Sequence, residues 1–303
     1  MTGLPLRYAP EVARARETGR PIVALESTII THGLPAPENL QTAQRLEEVL
    51  RRDGVTPATI AVLEGRLCIG LTPAELDALA RAPAVAKLSR ADLAVCLATG
   101  GTGATTVAAT MIAARAAGIA VFATGGIGGV HPGAEQSFDI SADLHELART
   151  PVTVVSAGAK AILDLPGTLE VLETLGVPVI AFGQDELPAF WSARSGLRAP
   201  LRLDSAADIA RAHRMRAALG LPGGQLVANP VPAAHDIPRD QLAPLIAQAT
   251  AEVRAQAITG KAVTPAVLAR LRVLSGGRTL STNIALVENN AGLAAKIALS
   301  LAA

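Results

Sequence analysis

Lys160 closes the segment Ser156-Ala157-Gly158-Ala159-Lys160, directly behind the apolar run Pro151-Val152-Thr153-Val154-Val155. The run reads as a buried parallel strand and Ser156 as the N-cap of a following helix. That places the lysine in first helical turns, where the macrodipole disfavours a cation and no neighbour offers a carboxylate. Desolvation and a helix N-terminus both lower an amine's pKa, the condition for a nucleophilic or Schiff-base lysine. The alternative is a lysine that snorkels to solvent. Glu26 ends the apolar stretch Pro21-Ile22-Val23-Ala24-Leu25, where burial would raise its pKa and suit a general acid; capping the strand or pairing with an arginine is the plainer role.

Two further segments carry polar groups at useful spacing. Gly100-Gly101-Thr102-Gly103-Ala104-Thr105-Thr106 offers backbone N–H groups and hydroxyls for a phosphate. It is neither a full dinucleotide fingerprint, since Thr106 takes the third glycine position, nor a P-loop, and a tight turn needing positive φ explains it equally. In Phe138-Asp139-Ile140-Ser141-Ala142-Asp143, Ser141 suits an N-cap and Asp143 the first helical turn. Asp139, outside the helix, could hold a hard divalent cation with waters. Asn229 and Asn283 could supply pocket amides, although turn and cap roles compete.

The elements that must position these groups alternate. Strands are expected at 21–25, 93–97, 119–122, 152–155, 178–182 and 225–228, with helices at 38–52, 104–117, 141–149, after Ser156, and 205–219. A hairpin joins 58–63 to 66–71, and the chain beyond Pro238 is helical. Strands separated by helices of this length predict a three-layer α/β/α fold with a mainly parallel central sheet and a helical C-terminal segment, forming one domain over residues 1–303. Open parallel sheets place their sites at the carboxyl ends of strands, and Glu26, the glycine loop, the 125–131 segment and Lys160 all follow expected strands.

Composition sets outer bounds. Hydrophobic residues make up 50% of the 303 and aromatics only 2%, which suits small aliphatic side chains packed between helices and sheet. A net charge of +1 gives no reason to expect nucleic acid or an anionic membrane. Cys68 and Cys96 sit in apolar, strand-like stretches, as buried thiols of a reducing compartment do. The N-terminus lacks the form of a signal peptide. Leu93 to Ala114 has no charged side chain but is broken by glycines and threonines, so it reads as soluble core rather than membrane span, and the chain as cytoplasmic.

Several longer segments resemble a known family. Ala24-Leu25-Glu26-Ser27-Thr28-Ile29-Ile30-Thr31-His32-Gly33 is one. Phe122-Ala123-Thr124-Gly125-Gly126-Ile127-Gly128-Gly129-Val130-His131, running on to Phe138-Asp139-Ile140-Ser141-Ala142-Asp143-Leu144, is another. Ala157-Gly158-Ala159-Lys160 and Asn283-Ile284-Ala285-Leu286-Val287 complete the set. Together they resemble the pseudouridine-5′-phosphate glycosidases from about residue 10 to the end. The resemblance implies reversible cleavage of the C–C glycosidic bond of pseudouridine 5′-phosphate to uracil and ribose 5-phosphate, by a Mn²⁺-dependent homotrimer. It further implies Lys160 as the nucleophile forming a Schiff base, Glu26 as proton donor and Asp139 as metal ligand. Lys87, Thr106, Val107, Ser141, Ala142 and Asp143 would bind substrate, with Thr124, His131 and Asn283 in the pocket. An aldolase using a lysine imine and a non-catalytic sugar-phosphate sensor remain the competing classes.

Overall fold

A computed structural model describes residues 3–258 and 260–303, the side chain of Lys261 excepted. Short runs rich in Val, Ile, Leu and Ala form its strands, and longer amphipathic or alanine-rich stretches its helices. In chain order the first half runs β1 (Leu6–Tyr8), α1 (Pro10–Glu17), β2 (Ile22–Leu25), a π-helical turn (Ile29–Gly33), α2 (Glu38–Arg52), β3 (Thr56–Leu63), β4 (Arg66–Ile69), α3 (Pro73–Arg81), β5 (Ala86–Leu88), α4 (Arg90–Ala98), β6 (Gly103–Thr105) and α5 (Val107–Ala116). It continues with β7 (Val121–Ala123), α6 (Ala134–Ser137), α7 (Ala142–Leu147), β8 (Thr153–Ser156), α8 (Leu165–Thr174), β9 (Val179–Phe182), β10 (Leu201–Leu203), α9 (Ala206–Ala218), β11 (Gln225–Ala228), α10 (Arg239–Ala255), α11 (Val263–Leu274) and α12 (Arg278–Ala302).

The main sheet order is β1-β4-β3-β2-β7-β8-β11-β9-β10, with β6 also pairing β3 and β5 pairing β6. Only β3–β4 and β3–β6 are antiparallel, so the sheet is mainly parallel as expected. Its centre is buried on both faces: β8 and β11 have no exposed position. Such strands read as continuous apolar runs rather than alternating ones. The 25-residue α12 passes the length and hydropathy test for a membrane span, yet half of that window is buried against α2, α9 and the central strands, as in a core helix.

Two expected elements differ. Residues 93–97 are helix, not strand: Ser89 and Asp92 form a capping box, and the Ser89 N–H donates to Asp92 Oδ2 at 2.9 Å, which starts α4. Cys96 is therefore a helical residue, while Cys68 lies in β4 as expected. The chain after β8 is also not helical until Leu165, whose N-cap is Asp164 with Pro166 following in the first turn. Ser156 is the last residue of β8, and Lys160 belongs to a loop. The helix-dipole argument for Lys160 falls with that correction.

Candidate active site

The register of three adjacent strands sets up the site. Leu25 pairs with Ala123, and Ala123 with Val155, so the carboxyl ends of β2 and β7 stop in line and β8 runs one residue further. The next residues, Glu26 and Thr124, are then neighbours, and the Thr124 hydroxyl donates to Glu26 Oε1. Thr28, one step into the turn after β2, donates its hydroxyl to Glu26 Oε2. Each carboxyl oxygen thus has one threonine. Ser27 points the opposite way, donating to the Ile60 carbonyl at 2.7 Å and accepting from the Thr105 N–H at 2.9 Å, which ties β2 to β3 and β6.

Lys160 is positioned by backbone rather than by a helix. The loops after β7 and β8 continue the sheet as a ladder: Ala157 N–H donates to the Gly125 carbonyl at 2.9 Å, Ile127 N–H to Gly158 at 3.1 Å, and Lys160 N–H to Ile127 at 3.1 Å. Glycines make this close approach possible. A Cβ on Gly126 would lie 2.6 Å from the Phe190 ring, and Gly158 has φ +87° with the Pro188 carbonyl 2.9 Å from where a Cβ would stand. At Gly128 a Cβ would meet Ser141 and sit 2.9 Å from Asp143 Oδ2.

Asp143 is the clasp of this region. Its Oδ1 accepts from Ala108 N–H in the first turn of α5 at 2.9 Å, and its Oδ2 from Gly128 N–H at 2.8 Å. It therefore fixes the helix start carrying Thr106 and Val107 against the glycine loop, while Ser141 caps α7 by accepting from Asp143 N–H at 3.2 Å. Thr106 caps α5, accepting from Ala109 N–H at 3.4 Å. From the far side, buried Asn290 on α12 donates to the Thr124 carbonyl at 2.8 Å and accepts from Asn229 at 3.0 Å. Asn283 lies seven residues earlier on α12, two helical turns, and so presents to the same side.

These elements enclose a cavity of about 380 Å³. Glu26, Lys87, Thr106, Val107, His131, Asp139, Ser141, Ala142, Asp143, Lys160 and Asn283 all line it, so segments spread over the sequence converge on its wall. Thr124 stands behind that wall as the partner of Glu26. The 100–103 glycines are absent from it. The Gly101 carbonyl accepts from Gly65 N–H at 2.8 Å and Thr102 Oγ1 from Glu64 N–H at 3.1 Å, so that turn packs on the β3–β4 hairpin. The phosphate-cradle expectation contracts to Lys87, on β5, and the Thr106–Val107 helix start.

Sequence reasoning passed over His32 and Phe190, and over Thr264 and Leu268 of α11. His32 lies within the π-helical turn, an element that such sites often carry, and its Nδ1 lies 2.6 Å from the Thr31 hydroxyl. Phe190 has φ +62°, which no local sequence signal announces.

Electrostatics separate the two central groups. What exposure Glu26 keeps is toward the cavity, and the surrounding protein strips its carboxyl of solvent. Burial pushes its pKa up, a shift only partly countered by the Lys160 charge and the two threonine hydroxyls. Burial, reinforced by the nearby Lys87 charge, holds His32 below the ordinary histidine value. Asp139 is exposed at the rim, with Oδ2 3.9 Å from His131 Nδ1. Among the described residues no cluster of three His, Cys, Asp or Glu side chains exists to hold an ion alone. A cation here would take one carboxylate, with water or substrate oxygens completing its shell.

Comparison with known proteins places this arrangement. Residues 11–300 match the family described as indigoidine synthase A like protein. The pseudouridine-5′-phosphate glycosidase of Jannaschia sp. (strain CCS1) is 68% identical over 298 residues, covering 98% of this chain and 99% of that protein. That of Roseobacter denitrificans is 66% identical, covering 100% and 98%. Among solved structures, an indigoidine synthase A-like protein from Thermotoga maritima superposes with a TM-score of 0.90 at 35% identity, over 99% of this chain and 97% of that one. The prealnumycin C-glycosynthase AlnA in complex with ribulose 5-phosphate does so with 0.91 at 37%, over 100% and 98%. With near-complete coverage at such identity, and with every quoted sequence segment meeting at one cavity, the chain belongs to the pseudouridine-5′-phosphate glycosidase family.

Proposed function

We propose that this cavity reversibly cleaves the C–C bond between C1′ of ribose 5-phosphate and C5 of uracil in pseudouridine 5′-phosphate, through an imine on Lys160. The observation that carries the reading is the placement of a desolvated carboxyl, Glu26, and a lysine, Lys160, in one cavity, close enough for their charges to interact. A carbon leaving group needs a proton at the carbon, and C1′ needs an electron sink. Glu26, held toward its protonated form by burial, delivers the proton to uracil C5. The Lys160 Nζ lone pair bonds to C1′ as the bond to the ring oxygen breaks, the oxygen taking the proton that the new ammonium releases. The nitrogen lone pair then forms the imine as the C1′–C5 bond breaks and C5 takes the Glu26 proton. Water then adds to the imine carbon, expels the amine and releases ribose 5-phosphate, so substrate plus one water gives uracil plus ribose 5-phosphate. The ribulose 5-phosphate bound to AlnA supports a sugar phosphate as ligand of the fold.

Lys87 and the amide ends of α5 bind the phosphate in this reading, and Asn283 meets the base. Asp139, with His131 beside it, is the proposed holder of Mn²⁺; a single carboxylate open to water suits a hard cation that keeps most of its own water shell. The ion supplies positive charge at the mouth of an anion-binding cavity. Exposed Phe138 (82%) and Ile140 (37%) flank Asp139, an apolar patch that a neighbouring copy in the proposed homotrimer would cover. A cytoplasmic setting accords with Cys68 and Cys96, which are buried and unpaired. Incubating the purified protein with pseudouridine 5′-phosphate and Mn²⁺ and assaying uracil tests the reading. Uracil release supports it; release of an aldehyde without uracil indicates the aldolase class, and binding without turnover a sensor.

A further inference from the structure

Beside the catalytic cavity lies a second chamber of about 370 Å³ that shares His32, Leu268 and Asn283 with it. Its remaining wall includes Trp191, Arg272 and Leu280. Trp191 is the chain's single tryptophan and is 1% exposed, yet its indole N–H has no hydrogen-bond partner among the described residues. Buried indole N–H groups ordinarily find one. Phe190 and Trp191 are consecutive, with ring centroids 4.9 Å apart, but they face different compartments: Phe190 lines the catalytic cavity and Trp191 the chamber.

Resting on the glycosidase reading above, we infer that this chamber is a holding subsite for the free pyrimidine base. The two products differ in charge and in fate. The sugar phosphate is anionic and stays bonded to Lys160 near Lys87, whereas the base is neutral, planar and rich in carbonyl acceptors. Once the C–C bond breaks, the base occupies the space that water needs to reach the imine. In the reverse direction it must be close at hand. The chamber is contiguous with the reaction site past His32 and Asn283, has an aromatic and aliphatic wall, and offers the Arg272 guanidinium as a donor for carbonyl oxygens. Among the described residues its one cation, Arg272, is outweighed by Lys87 and Lys160 in the catalytic cavity, so the phosphate belongs there and the base here.

Trp191 makes its own reporter. Titrating the purified protein with uracil should change its tryptophan emission saturably. Leu280→Phe, which fills the chamber, should raise the midpoint by roughly tenfold or more, the discrimination typical of a steric misfit in an apolar pocket. The midpoint for ribose 5-phosphate, read by calorimetry, should stay unchanged. Ala269→Phe, also on the chamber wall, repeats the block if Leu280→Phe does not fold. No emission change at saturating uracil, or an unmoved uracil midpoint in the blocked variants, overturns the inference. A ribose 5-phosphate midpoint that moves in place of the uracil midpoint also overturns it, assigning the chamber to the sugar phosphate. The titration requires no chemistry, so failure of the glycosidase reading is registered separately, as absent uracil formation from pseudouridine 5′-phosphate.

Discussion

Replacing Glu26 by glutamine separates the proposed catalytic role of this carboxyl from its effect on stability. The amide keeps the size of the side chain and can still engage both the Thr28 and Thr124 hydroxyls, which rotate to donate or accept. What it loses is charge assistance. Hydrogen bonds to a charged group are worth about 1.5–3 kcal/mol against about 0.5–1.5 for neutral pairs, so two contacts lose together roughly 2–3 kcal/mol. On the other side stands desolvation of the buried ion, typically several kcal/mol and here the largest influence on the group. Desolvation wins, which is why the pKa is raised. A raised folded-state pKa means the protonated carboxyl contributes stability that is complete below the unfolded-state value. That stability is lost as pH climbs through the folded-state value. Glu26→Gln escapes that loss. Its melting temperature should therefore gain on the wild type as pH rises above the ordinary carboxyl range, while turnover falls about 10²–10⁴-fold for want of the proton. A wild-type advantage that is present at neutral pH and shrinks as pH falls through the acid range would mean an ionised Glu26 stabilised by Lys160. Turnover near wild type would place the proton donor elsewhere.

Other perturbations follow from the same contacts. Thr124→Val removes a hydroxyl that holds Glu26 down, so the alkaline limb of the pH–rate profile, where the acid loses its proton, should move upward; an unmoved limb would separate Thr124 from the acid. Gly128→Ala forces a Cβ against Ser141 and Asp143, and should cost about 1–3 kcal/mol in urea unfolding through overpacking, with loss of activity as the clasp opens. Asp139→Ala should abolish Mn²⁺-stimulated turnover and weaken Mn²⁺ binding read by electron paramagnetic resonance, and chelator should reproduce the kinetic effect in the wild type. Full activity in chelator would make the ion dispensable.

The parallel sheet was legible because its central strands are unbroken aliphatic runs: Gln225–Ala228 falls where expected, and Ile22–Leu25 within a residue of it. An apolar run of five residues such as Leu93–Leu97 does not distinguish a strand from a buried helix. The deciding signal lay upstream, in the Ser89–Asp92 capping box. The loop around Lys160 was misread because Ser156 resembles an N-cap. Asp164 with Pro166 behind it is the stronger start, and Gly158 with φ +87° interrupts any helix between them. Glu26 and Lys160 stood out as candidate chemistry and Asp143 only through the family resemblance, and none of their mutual support was legible. The Asp143 clasp joins backbone groups of α5 and the glycine loop, and Phe190 reaches Gly126 by a long-range approach with no local periodicity. Such contacts belong to the tertiary structure alone.

The covalent role of Lys160 is open to direct measurement. Borohydride reduces an imine between Nζ and C1′ to a stable secondary amine, so treating the protein with ribose 5-phosphate and borohydride should fix the sugar phosphate to one peptide. Mass spectrometry is expected to find the added mass on Lys160, with none in Lys160→Ala. Label on Lys87, Lys261 or Lys296, or no label from a protein that still releases uracil, would contradict the Schiff-base mechanism.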